Sequence, residues 1–177
     1  TEMIEMGFNG ARKHQKIEDE RFLYYADILG YIVWAEMPSM YDNTEKSRAV
    51  FEREWLLSVA QQKNHPCILV WVPFNEGWGQ FDATTATEKL RTWDPTRLIN
   101  EACGWFDQGG GDMYSIHNYL RKLKVSPKQD RVVALTEYGG YAFPIEGHLA
   151  CEKKFGYQKY ATTEELTKNY KRLWEEE

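Results

Sequence analysis

No stretch of this 177-residue chain approaches the roughly 20 consecutive apolar residues that a membrane-spanning helix needs, so a membrane is not an expected partner. Nor does a charged segment followed by an apolar one open it in the manner of a secretory leader. The first residue is Thr1 rather than Met, and a piece of a longer protein is expected. Cysteine is sparse: Cys67, Cys103 and Cys151 are odd in number and widely spaced, which excludes a disulfide framework and a zinc-type spacing. The four histidines and the carboxylates near them show no compact ligand pattern, so no metal and no cofactor is expected. Positive charge is in deficit, with a net charge of −5, which argues against nucleic acid as a partner. The one basic cluster, Arg121-Lys122-Leu123-Lys124, reads as a solvated turn or helix face. No repeat, low-complexity tract or linker divides the chain, so residues 1–177 read as one domain.

Apolar residues make up 42% and charged residues 28% of the chain, enough for one globular unit with a real core. Short apolar runs alternate with amphipathic stretches, the pattern of an α/β fold with a parallel sheet. Strands are expected near Gly7 to His14, Tyr31 to Glu36, Ile68 to Asn75, Arg97 to Ala102, Met113 to Tyr119 and Val132 to Glu137. Helices are expected over Glu18 to Leu29, with Phe22, Tyr25, Ala26 and Leu29 on its buried face and Gly30 as its stop, and over Lys46 to Gln62. Thr84 to Trp93, stopped by Asp94-Pro95, is a third, and Thr163 to the C-terminus a fourth, capped by Thr162 or Thr163.

The most telling segment is Ile68-Leu69-Val70-Trp71-Val72-Pro73-Phe74-Asn75-Glu76-Gly77, an apolar run that ends in an amide, a carboxylate and a glycine. Val132-Val133-Ala134-Leu135-Thr136-Glu137-Tyr138-Gly139-Gly140 repeats the layout. A carboxylate at the end of a buried parallel strand lies where α/β barrels keep their chemistry. Two of them, Glu76 and Glu137, suggest a pair facing one pocket, which is what glycoside hydrolysis requires. Aromatic residues make up 15% of the chain, with seven tryptophans, and sugar sites need flat apolar faces of that kind.

The chain resembles the catalytic barrel of glycoside hydrolase family 2, the family of β-galactosidases, β-glucuronidases and β-mannosidases. The likeness is carried by Gly7-Phe8-Asn9-Gly10-Ala11-Arg12, Leu29-Gly30-Tyr31-Ile32-Val33-Trp34-Ala35-Glu36, Asn64-His65-Pro66-Cys67-Ile68, Phe74-Asn75-Glu76, Asp94-Pro95-Thr96-Arg97 and Thr136-Glu137-Tyr138-Gly139. The resemblance implies a (β/α)8 TIM barrel of which strands two to seven are present. The first and eighth strands, and the β-sandwich domains that precede such barrels, are absent from this stretch. A complete barrel takes about 250 residues.

By that resemblance the chain is a retaining, exo-acting β-glycosidase of carbohydrate substrates. Glu76 is its acid/base, which must keep its proton near neutral pH through burial and a nearby negative charge, and Glu137 its nucleophile. Asn75 matches the residue that bonds the sugar 2-hydroxyl, and Arg12 the arginine that holds the nucleophile ionised. His14 and His117 are candidates for sugar hydroxyls and Tyr119 for a donor to Glu137, while Trp78 and Trp105 are candidate sugar platforms. Glu36 is expected to orient His14 or Arg12, and Glu101 is read as structural. Asn64 and His65 precede their strand and belong to the opposite, stabilising face. The competing readings are another retaining (β/α)8 hydrolase, such as an endo-glucanase or mannanase, and an inactive fragment. An incomplete barrel leaves two open parallel edges, and such edges invite pairing, so self-association through the gap, or its coverage by the segment after Glu137, is expected.

Overall fold

Strand and helix signals alternate as the sequence implies, and the computed structural model, which describes residues 1–120, 122–149, 151 and 155–176, turns them into successive βα units. A helical turn, α1 (Glu2–Glu5), leads into β1 (Gly10–Lys13), α2 (Glu20–Leu29), β2 (Ile32–Glu36) and α3 (Glu45–Gln62). Then come β3 (Ile68–Val72), β4 (Phe74–Asn75), α4 (Ala83–Trp93), β5 (Leu98–Ile99), β6 (Ala102–Cys103), β7 (Met113–Asn118) and β8 (Val132–Tyr138). A small parallel pair, β9 (Tyr141–Ala142) and β10 (Gln158–Lys159), precedes α5 (Thr163–Glu176).

The pairing is parallel throughout. β1, β2, β3 and β5 form one sheet in that order, β4 pairs with β6, and β7 with β8. β4 resumes the line of β3 after Pro73, whose missing N–H ends the ladder there, and β6 resumes that of β5. The expected strand from Arg97 to Ala102 is therefore two short pieces, interrupted at Asn100-Glu101. Counted this way, six strand positions follow one another in chain order without closing, so the structure is an incomplete α/β barrel wall. A cleft of about 370 Å³ between β1 and β8, lined by Gly10, Ala11, Trp34, Leu135 and Tyr138, marks the open side.

Alternation along β3 sends Trp71 outward and Val70 and Val72 inward. The outer layer is the main core. Leu23 and Ala26 of α2, Phe51, Trp55 and Val59 of α3, and Leu90 of α4 pack there against Val33, Ile68, Trp71 and Ile99. Trp55 meets Trp71 edge-on at 5.6 Å between ring centroids, and the indole N–H of Trp71 donates to buried Asp94 at 2.9 Å. Inside the wall a smaller cluster of Val70, Val72, Cys103 and Met113 floors the site.

Caps set the helix limits. Asp19 accepts from the Arg21 N–H at 2.9 Å and starts α2, and Gly30, at φ 66°, ends it. Thr44 caps α3, and Thr162 accepts from the Glu165 N–H at the start of α5. The buried face of α2 differs from expectation: Leu23 and Ala26 are inside, whereas Tyr25 and Leu29 are exposed. The four-residue α1 covers only part of that flank, leaving a shallow apolar groove of about 190 Å³. Val50 and Leu56 of α3 are likewise exposed, the buried stripe being Phe51, Trp55 and Val59. In the basic cluster Lys122 and Lys124 are exposed, and Arg121 lies outside the described residues. No described helix is long and apolar enough to cross a membrane.

Candidate active site

The C-terminal ends of the strands converge on a cavity of about 810 Å³. Of the residues singled out in the sequence, Arg12, His14, Asn75, Glu76, Trp78, Tyr119 and Glu137 line it. His117 and Trp105 do not. The His117 side chain is fully buried behind the two carboxylates, and Trp105 lies edge-on against its ring at 6.2 Å. Neither side chain lines the cavity in this arrangement: His117 packs behind the carboxylates, whereas Trp105 lies beside it and stays 46% exposed. His148 is outside the cavity as well.

Adjacent residues of a regular strand point to opposite faces, yet Asn75 and Glu76 both reach the cavity. The backbone explains this. Glu76 and Gly77 have φ of 50° and 77°, and the Trp78 N–H donates to the Asn75 carbonyl at 2.9 Å, closing a tight turn with both central residues left-handed. For Gly77 that conformation is cheap; for Glu76 it is a local strain of the kind that gathers at functional positions. The Glu76 N–H still donates to the Cys103 carbonyl at 2.9 Å, so the carboxylate is anchored to the sheet as its side chain swings inward.

Arg12, on β1, organises the floor. Its guanidinium donates to Glu36 at 2.6 Å, to the Asn75 side-chain oxygen at 3.3 Å, to the Cys103 sulfur at 2.9 Å and to Glu137. Because the Asn75 oxygen is taken by Arg12, its amide N–H groups are left for the cavity. Glu36 is fully buried and also meets His14 Nδ1 at 3.0 Å and the Gln15 N–H at 3.0 Å. It therefore contacts both Arg12 and His14, the two partners the sequence offered for it, in an arrangement that also fits a purely structural ion pair.

The Tyr119 hydroxyl donates to Glu137 and lies 3.3 Å from Glu76 Oε1. Burial, followed by the charge of Glu76, pushes its pKa up, so the phenol keeps its proton. His117 Nδ1 lies 2.7 Å from Glu76 Oε1, and its Nε2 lies 3.3 Å from Cys103 Sγ and 3.7 Å from Glu137 Oε1. Burial holds His117 below the ordinary histidine range; Glu76 pulls the other way, and Arg12 adds to the lowering. Cys103 is raised by burial and stays a thiol.

Donor atoms of Glu76, His117 and Glu137 all lie within 4.8 Å of one another. This grouping joins β7, β8 and the turn after β4, and sequence spacing did not reveal it. Each of the three is already hydrogen-bonded within the group or to Arg12 and Tyr119, so as arranged they do not present a vacant ligand set.

Several site residues escaped the sequence. Tyr157 stacks on Tyr119 at 4.0 Å and lines the cavity, with Phe155, Tyr41 and Gln15 around the mouth. They sit in loops without periodicity, and a loop aromatic gives no sign of which way it faces. Glu101, read as structural, is buried and accepts from the Gly110 N–H at 2.8 Å outside the cavity. His65 lies at the opposite strand ends, bound to Asp27 at 2.6 Å and Glu20 at 2.9 Å.

Comparisons with known proteins agree with this architecture. The sequence profile of Glycosyl hydrolases family 2, TIM barrel domain, matches residues 2–170. No curated protein matches the chain. Among solved structures, the β-D-glucuronidase of Dictyoglomus thermophilum superposes with a TM-score of 0.68 at 19% identity, covering 98% of this chain and 36% of that one. The β-glucuronidase of Parabacteroides merdae gives 0.59 at 23% identity over 66% of this chain and 16% of its own. β-Glucuronidase 3 of Bacteroides uniformis gives 0.56 at 24% identity over 63% and 16%. At these identities the likeness is one of fold, and the chain spans between about a sixth and a third of each relative's length.

Proposed function

This chain belongs to glycosyl hydrolase family 2, by its TIM barrel domain, and on that premise we propose that it is the catalytic portion of a retaining β-glycosidase. The observation that carries the reading is the pairing of Glu76 and Glu137 across one cavity, with side-chain oxygens within 4.8 Å of each other. Inverting enzymes separate their carboxyl groups by about 6.5–9.5 Å to admit a water, whereas retaining enzymes hold them about 5–5.5 Å apart. A nearest approach of one oxygen from each within 4.8 Å is compatible with the retaining spacing and with direct attack by Glu137 on the anomeric carbon.

In this scheme Glu137 is kept ionised by Arg12 and Tyr119 and forms the glycosyl-enzyme bond. Glu76 protonates the departing oxygen and then takes a proton from the water that releases the sugar. The amide of Asn75, fixed by Arg12, donates to the 2-hydroxyl. His14 and Trp78 are placed for other sugar contacts at the rim, and an exo mode on a terminal sugar follows the family likeness. The relatives named above make a β-glucuronide a first substrate to try, alongside β-galactosides and β-mannosides.

The test uses the complete protein and a panel of aryl β-glycosides. Glu137→Ala is expected to abolish turnover on all of them. Glu76→Ala is expected to spare substrates with activated leaving groups, which need little protonation. Equal loss on both kinds of substrate in the Glu76 variant would contradict the assignment, and a first product of inverted configuration would remove the retaining mechanism.

A further inference from the structure

Arg12 donates to Oε1 of Glu137 and the Tyr119 hydroxyl to Oε2. One donor on each oxygen fixes the plane of the carboxylate, and without either it turns about its last bond, which has no sharp preference. Arg12 is tied down by Glu36 and Asn75. Tyr119 is placed less securely by the sheet. It stands one residue beyond the last paired position of β7, where Asn118 faces Tyr138, and its hydroxyl is at the far end of the side chain. A small rotation of the ring carries the hydroxyl off Glu137, and a hydrogen bond weakens steeply as alignment is lost. His117 meets that ring edge-on at 6.2 Å, and Tyr157 covers a face of it at 4.0 Å with the planes 15° apart.

The backbone after β8 is shaped to deliver Tyr157. Gly139 and Gly140 turn at φ 74° and 65°, a left-handed pair that suits glycine. The Tyr157 N–H donates to the Gly140 carbonyl at 2.9 Å, and the two residues that follow, β10, pair with β9. The Tyr157 ring lies directly over Gly140, where a Cβ would come within 2.5 Å of its Cδ2. A Cβ on Gly156 would lie 2.4 Å from the Ala142 Cβ. Both close approaches thus depend on a missing side chain. Tyr157 itself is 41% exposed, so core burial does not account for this construction. We propose that Tyr157 is a positioning residue: stacked on Tyr119, it holds that hydroxyl against Glu137, and the β9–β10 pair with Gly140 and Gly156 sets the stack. The inference deepens the proposed function and rests on the role given there to Glu137.

Two measurements on the complete protein test it. Tyr157→Leu, which keeps apolar bulk and removes the ring, is expected to lower kcat on aryl β-glycosides about tenfold with KM little changed. Tyr157→Phe, which keeps the stack, should recover most of the loss. In a Tyr119→Phe background the hydroxyl that Tyr157 serves is gone, so Tyr157→Leu should there cost less than about twofold. An equal loss in both backgrounds, a loss confined to KM, or no loss in the natural background overturns the proposal, because a structural or substrate-contacting Tyr157 would not depend on the Tyr119 hydroxyl. The second measurement uses protein labelled with 3-fluorotyrosine, in which the ¹⁹F resonance lost in Tyr119→Phe identifies Tyr119. That resonance is expected to shift in Tyr157→Leu, as the stacked ring and its ring current go, and to stay near its place in Tyr157→Phe. An unmoved resonance in Tyr157→Leu overturns the proposal. This arm needs no turnover, so it is decided even if no glycoside is cleaved and the proposed function itself fails.

Discussion

Arg12 is the side chain on which most of the site depends. Its guanidinium binds Glu36 and Glu137 at once while remaining only 11% exposed. Removing one partner of a buried ion pair leaves a charge without compensation and costs about 3–5 kcal/mol. Arg12→Met is therefore expected to lower unfolding stability by that amount in urea titrations, with Glu36 the stranded group. Arg12→Lys should keep more stability but lose activity, because a point charge cannot replace a fork that reaches four acceptors. Gly77 is the second sensitive residue. A Cβ there would lie 2.5 Å from the Phe106 ring, on a backbone at φ 77°. Gly77→Ala should cost about 1–2 kcal/mol from the left-handed backbone alone, and thermal melting together with kcat would show Glu76 displaced.

At the scale of elements, two contacts hold the wall together away from the chemistry. The first is a clasp between α2 and the start of β3. Burial alone would lower His65, but its bonds to Glu20 and Asp27 outweigh it and the pKa ends raised. Burial would raise Asp27, but hydrogen bonds from Cys67 and His65 bring it down. The raised histidine contributes stability that is complete below its unfolded value of about 6.5 and is lost as pH rises through the folded one. The lowered aspartate contributes above its unfolded value of about 3.9 and loses this as pH falls through its folded value. The Tm difference between the natural chain and His65→Gln should thus be largest between the two unfolded values, in mildly acidic solution, and shrink as pH rises through the raised His65 value. A constant difference would remove the charge from the explanation.

The second contact is α5. Trp174 lies 6.3 Å from Phe8, just ahead of β1, and 5.8 Å from Tyr138 at the end of β8. One helix therefore reaches both margins of the open side. Trp174 is about half exposed. Trp174→Ala is expected to cost about 1–2 kcal/mol, less than the loss of a fully buried tryptophan, and to raise hydrogen exchange in β1 and β8 above that in β3.

For the molecule as a whole, the open side is the main liability. β1 and β8 each present an edge, and the cleft between them exposes groups that belong inside a barrel. The chain is expected to associate through this face to the extent that α5 leaves it accessible. Light scattering should show a mass that rises with concentration, and more steeply for Trp174→Glu than for the natural chain. A monomer at all concentrations in both would place the cover elsewhere.

The order of strands and helices, their parallel pairing and the two carboxylates at strand ends were legible in the sequence because each rests on local causes: β-branched runs, caps, and glycines placed at turns. Pro73 and Gly77 even marked where the strand would break and let Asn75 and Glu76 share a cavity. What only the tertiary structure decided lies between distant segments. Periodicity did not distinguish which flank of α2 would be covered, since that depends on a neighbour. It did not place His117 behind the carboxylates or Tyr157 against Tyr119, and although the family resemblance linked Arg12 to Glu137 and Glu36, nothing in the sequence added Asn75 and Cys103 to its partners. Such groupings form where strands remote in sequence end at one face, and a one-dimensional pattern carries no record of which side chains will meet there.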